Sequence, residues 1–108
     1  MATTPEYIEF VFDQIDNRWN KRYRKMFGEY MVYVNDKPIL LVCDNTVYAK
    51  KLDCIKPFIK DEESGFPYNG AKEHYLVDVE DEESFSNIIE KLEKVIKVPV
   101  KKKRKTNM

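Results

Sequence analysis

Two pairs of turn-forming residues, Asn35-Asp36 and Asp44-Asn45, flank the apolar run Ile39–Cys43. Asn and Asp tolerate the left-handed backbone that a two-residue hairpin turn requires. The spacing therefore predicts three sequential strands joined by tight turns, an antiparallel meander. Before the first turn the period is two. Tyr30, Val32 and Val34 point one way, and Glu29, Met31 and Tyr33 the other. Ile39–Cys43 is apolar at every position, which predicts a central strand covered on both sides. Thr46 to Lys51 is expected as the third strand. At five residues, the apolar run is also far short of the ~20 that a membrane helix needs, so no membrane partner is expected.

Helices flank this meander. Thr4 is placed to cap, and Pro5 to open, a helix over residues 4 to about 20. Ile8, Val11, Phe12, Ile15 and Trp19 give it one apolar face. Gly28 ends that pattern at a position suited to positive φ. Asp53 is expected to cap a short helix from Cys54 to about Lys60. The stretch Asp61–Lys72 holds Gly65, Pro67, Asn69 and Gly70 and reads as turns, with a short strand around Phe66 and Tyr68. Glu73–Val79 alternates, with Tyr75, Val77 and Val79 on one face. A last helix runs from Asp81 to about Lys97 with the stripe Phe85, Ile88, Ile89, Leu92, Val95 and Ile96, supported by Glu90–Lys94 and Glu93–Lys97 pairs. The order is α-β-β-β-α-β(β)-α, an α+β two-layer fold with an antiparallel sheet. Residues 4–98 form one domain, and 99–108 a basic, flexible tail.

The chain has 19 Lys and Arg against 19 Asp and Glu. Lys101, Lys102, Lys103, Arg104 and Lys105 carry five of the positive charges, so the body has 14 basic and 19 acidic residues. A second cluster, Arg18, Lys21, Arg22, Arg24 and Lys25, is interleaved with Trp19 and Tyr23. Lysine and arginine displace counterions from nucleic acid, and aromatic rings stack on bases. These ten residues are the candidate nucleic-acid contacts. The simpler reading, which we favour, is that the first cluster complements a helix C-terminus and the second solvates a tail. No helix-turn-helix accompanies them.

Chemistry-bearing residues are few. His74 is the one histidine, and Ser64 lacks the glycines of a nucleophile elbow. A catalytic reading would use His74, or a carboxylate among Glu29, Glu73 and Asp78, and it ranks lowest. No catalytic residue, cofactor or metal site is assigned. Cys43 and Cys54 match no zinc or redox spacing and read as free thiols. Without a secretory pattern at the start of the chain, they point to the cytoplasm. Tyr30, Tyr33, Tyr48 and Tyr68 either line a groove or lie on a sheet face beneath a helix.

Lys25-Met26-Phe27-Gly28-Glu29-Tyr30, the hairpin that follows, and Val47-Tyr48-Ala49-Lys50 together resemble the TfoX N-terminal domain family. Tyr68-Asn69-Gly70-Ala71-Lys72, the strand residues Tyr75-Leu76-Val77, the closing helix and the lysine-rich end fit as well. The match runs from about residue 6 to residue 105. The resemblance implies a helix-on-sheet domain similar to secretion-chaperone-like folds. It further implies a stand-alone version of the N-terminal domain of a competence regulator, without that regulator's C-terminal domain. Glu29 departs from the pattern, since many members carry a second glycine there. The expected function is a non-catalytic binding or interaction module with a regulatory role. Its expected surface is Met26, Phe27, Gly28, Tyr30, Tyr68, Gly70 and Lys72. The expected partners are a second copy, which would cover the doubly apolar strand, or another protein. Nucleic acid is the alternative.

Overall fold

In the computed structural model, residues 3–26 and 28–99 are described. Helix α1, Pro5–Asp13, is capped by the Thr4 hydroxyl, which accepts from the Tyr7 amide. Six strands follow: β1 Lys21–Met26, β2 Glu29–Val34, β3 Lys37–Cys43, β4 Thr46–Lys50, β5 Ser64–Gly65 and β6 His74–Leu76. Helix α2, Glu82–Val95, closes the domain, with Asp81 accepting from the Ser84 amide at its start. The strands form one antiparallel sheet in the order β1-β2-β3-β4-β6-β5. The fold is α+β, as the alternating patterns imply.

Both hairpin turns form where the Asn and Asp pairs predict them. Asn35 and Asp36 have φ of 52° and 66°, and Asp44 and Asn45 have 51° and 53°. Gly28 and Gly70 also adopt positive φ, 82° and 92°, where a side chain would be strained. Ile8, Val11 and Ile15 from the α1 region, and Phe85, Ile88, Ile89 and Leu92 from α2, pack on one face of the sheet. That face presents Tyr30, Val32, Val34, Ile39, Leu40, Val42, Val47, Ala49 and Tyr75.

Several expectations are corrected. The first helix stops at Asp13 rather than near residue 20. The Asp16 carboxylate takes the Arg18 amide, and its carbonyl takes the Trp19 amide, turning the chain. Residues 21–26 then form β1, paired along their whole length with β2. An edge strand with polar side chains carries no apolar alternation, so nothing in its own residues marks it as a strand.

Ile39–Cys43 is central, but helices cover only one of its faces. The pairing slips between Val32–Leu40 and Tyr33–Pro38, and this bulge turns Ile39 and Leu40 both into the core. The bulge accounts for Ile39, while Leu41 and Cys43 fall on the other face, where Cys43 is buried at the floor of a groove. Leu41, on the other side, is only half-buried.

The helix expected after Asp53 is two short 3-10 turns, Asp53–Phe58 and Lys60–Glu62, with no side-chain cap on the first. Pro57 within it lacks the amide that a longer helix would need. The strand expected at Phe66 and Tyr68 falls instead at Ser64–Gly65. Phe66 and Tyr68 are the most exposed aromatics described, at 63% and 59%. Helix α2 ends at Val95, which is exposed. Glu93 pairs with Lys37 rather than with Lys97.

Candidate functional site

The helices leave the opposite face of the sheet bare. Residues paired across neighbouring strands share a face, so the register lists what this face carries. One row crosses five strands and reaches the residue just ahead of the sixth. Arg24 lies beside Met31, Met31 beside Leu41, Leu41 beside Tyr48, and Tyr48 beside Leu76. The Leu76 amide donates to the Glu63 carbonyl at 3.0 Å, which extends the row to Glu63 just ahead of β5. The row is basic at one end, apolar through four strands and acidic at the other end. Neither Arg24 nor Glu63 makes an ion pair among the described residues. A second row runs Arg22, Tyr33 and Pro38, then Lys50, His74 and Gly65.

A groove of about 520 Å³ opens on this face between Met26, Glu29, Met31, Leu41, Cys43 and Tyr68. A hollow of about 240 Å³, lined by Pro38, Tyr48 and His74 among others, lies along the same sheet. Flexible methionines and a half-exposed leucine make an adaptable apolar floor, and Tyr68 forms a wall. Glu29 is held at the groove by three donors to one carboxylate oxygen. These are the Thr3 amide at 3.2 Å, the Thr3 hydroxyl at 2.7 Å and the Asp44 amide at 3.1 Å. A glutamate after Gly28 thus ties the start of the chain to the β3–β4 turn. Contacts 26 and 15 positions apart leave no local signal in the sequence.

The structure brings Met26 and Tyr68 of the expected surface together. Tyr30 is turned into the core, 6% exposed. Its ring packs edge-on to Tyr23 at 5.5 Å. Gly70 has no neighbour within 4 Å of an added Cβ, and Lys72 is exposed, its carbonyl bonded to His74 Nδ1 at 2.7 Å. Gly28 supplies the turn between β1 and β2, and Phe27 lies outside the described residues. Met31, Leu41, Tyr48 and Leu76 were not in the expected surface. Alternation against the core set on consecutive strands marks them, but only once the pairing order is known.

Of the basic residues, Lys21 is engaged within the fold. Its ammonium donates to the Phe12 and Ile15 carbonyls at 3.0 and 2.6 Å and lies 4.7 Å from the Phe12 ring centre. It complements the C-terminal end of α1 from β1, as a basic residue there should. Arg18 lies over Trp19, and Arg22 over Tyr33 at 4.3 Å with Asp36 as an exposed ion-pair partner. Arg24 and Lys25 are exposed. Lys101, Lys102, Lys103, Arg104 and Lys105 lie outside the described residues. The end of α2 nevertheless sits beside the start of β1. Asn35 donates its side-chain amide to Glu93 and its backbone amide to the Asn20 carbonyl.

Cys43 and Cys54 are free thiols. Burial, with lesser help from Glu29 and Asp44, pushes the Cys43 thiol up to about 11. At neutral pH it is protonated and a poor nucleophile. His74 makes no hydrogen bond to a carboxylate, serine or cysteine among the described residues. Glu73 is held below the usual carboxylate range by Ser64 first, then by Lys51. The Asp78 carboxylate accepts from the Glu80 amide in a turn.

The fold and this face define a single-sheet α+β domain with one helix-covered side and one open, apolar side. The chain is 36% identical over 108 residues to the uncharacterized 12.7 kDa protein in the trpE 5' region of Spirochaeta aurantia, covering 98% of this chain and 94% of that protein. It belongs to the same family as that protein. No family model and no solved structure matches the chain. No described helix is long and apolar enough to cross a membrane.

Proposed function

We propose that this protein is a non-catalytic binding module of the TfoX N-terminal type, cytoplasmic and regulatory, that engages a protein partner with the helix-free face of its sheet. The observation that carries this reading is the apolar centre of that face. Met31, Leu41, Tyr48 and Leu76 form a continuous row with no helix over it. Contiguous, partly exposed apolar surface of this kind marks interaction sites. The groove beside Tyr68 offers a pocket for an anchoring side chain. The two free thiols agree with a reducing compartment.

Site-specific photocrosslinking in cells that make the protein tests the reading. A photoreactive side chain at Tyr48 is expected to give a protein adduct of discrete mass. The same group at Phe10, exposed on the far side of α1, is expected to give none. No adduct at Tyr48, or equal adducts at both positions, refutes the proposal.

Nucleic-acid binding is the second reading. It is supported by the meeting of the α2 end with the start of β1, which sets the C-terminal end of that helix beside the strand that carries the exposed Arg22, Arg24 and Lys25. It requires affinity that falls steeply with salt, with a shallower slope when residues 101–105 are removed. Salt-independent binding, or none at low salt, eliminates it.

A further inference from the structure

We infer that the occupant of the open face is a second copy of this chain, packed sheet to sheet about a two-fold axis that runs along the strands between β3 and β4. This deepens the binding-module reading and rests on it. Such an axis reverses the strand order across the interface. The β1 edge of one copy meets the β5 edge of the other, β2 meets β6, and β3 meets β4. The row Arg24, Met31, Leu41, Tyr48, Leu76, Glu63 is complementary to itself under that reversal. Arg24 faces the other copy's Glu63, Met31 faces Leu76, and Leu41 faces Tyr48. Every contact occurs twice, as a two-fold interface demands.

Charge singles out this axis. A two-fold running across the strands instead would set each β1 edge against the other β1 edge, and like charges would meet at Arg22 and Arg24. Within one chain Arg24 and Glu63 stand at opposite ends of the row, without ion-pair partners among the described residues. Only a second molecule brings them together.

The area agrees with a modest dimer. Roughly 30 strand residues at about 3.3 Å by 4.8 Å each present about 470 Å² of projected face. Two such faces, with the exposed Tyr68 standing on each, approach the ~1,000 Å² at which specific interfaces begin. Aligned sheet packing also keeps the two strand directions within about 30° of each other.

Sedimentation equilibrium of the full chain from about 1 to about 200 µM tests the assignment, with a dimer dissociating in the micromolar range expected at this size. Leu41→Arg is expected to leave a monomer. Arg24→Glu and Glu63→Arg sit at exposed positions that do not endanger folding. Each is expected to weaken the dimer about tenfold, because each removes two symmetry-related rim pairs. The double variant Arg24→Glu/Glu63→Arg is expected to recover the affinity.

A dimer unmoved by Leu41→Arg overturns the sheet-to-sheet interface. A double variant no tighter than the singles overturns the axis. A monomer throughout the range overturns the second copy. If that monomer still gives a discrete adduct with a different protein at Tyr48, the binding module survives without the dimer. If it gives none, both readings fall.

Discussion

Lys37→Met is expected to destabilise the fold by about 2 kcal/mol at pH 7, less than the ~3 kcal/mol of two charged hydrogen bonds at the low end of their usual range. The Lys37 ammonium donates to the Glu93 carboxylate at 2.9 Å and to the Glu93 carbonyl at 2.6 Å. That carbonyl lies in the last turn of α2, where helix carbonyls lose their intrahelical partners. Both side chains are about one-fifth exposed, so water replaces part of what is removed, and methionine keeps the apolar stem. Lys37 first and Asn35 second hold the Glu93 carboxyl below its ordinary range. A depressed carboxylate stabilises fully above its unfolded value, about 4.3, and that stability is lost as pH falls through the lower folded value. Urea denaturation of the wild type, Lys37→Met, Glu93→Gln and the double variant yields the coupling between the two residues. A coupling of about 1 kcal/mol is expected at pH 7, shrinking toward zero as pH falls to about 3. A coupling below about 0.3 kcal/mol at pH 7, or one that does not shrink in acid, refutes this account of how α2 is pinned to the sheet.

Three further outcomes follow from the geometry. Lys21→Met is expected to cost about 1 to 2 kcal/mol in urea titration by uncapping α1, while any salt-sensitive nucleic-acid binding stays intact. A loss of that binding equal to the loss with Lys25→Ala would contradict the inward role of Lys21. Cys54, half-exposed, is expected to be alkylated at pH 8 well before Cys43, which is buried with its thiol pushed up to about 11. Mass spectrometry of the time course checks this, and equal rates would show that β3 opens readily. Glu29→Ala strips a shared acceptor from the Thr3 and Asp44 amides and is expected to cost about 1 to 3 kcal/mol. Faster hydrogen exchange should be confined at first to those amides and the β3–β4 turn, and unchanged exchange there would refute the role of Glu29.

Turns and covered elements were legible in the sequence because their signals are local. Asn35-Asp36 and Asp44-Asn45 tolerate the positive φ they adopt by virtue of their own side chains, and they define the β2–β3–β4 meander. Thr4 and Asp81 cap helices through contacts three residues away. Apolar spacing on α1 and α2 marks the faces that become the core. Strand β1 was not legible, since Lys21, Arg22, Arg24 and Lys25 carry no apolar alternation and become a strand only by pairing with β2. The bulge at Pro38–Leu40 was not legible either, so five apolar residues read as a strand covered twice.

The open face belongs to the same distinction. Residue by residue, the sequence set Met31 and Leu76 against the core-facing residues on either side of them, Tyr30 and Val32 for one and Tyr75 and Val77 for the other. Tertiary structure decided that these two would lie in one row with Leu41 and Tyr48, that both helices would take the other side, and that Arg24 and Glu63 would end the row with opposite charges. Local conformation follows from neighbours in the chain. A row across the sheet depends on register and strand order, which are settled by pairings between separate segments of the chain.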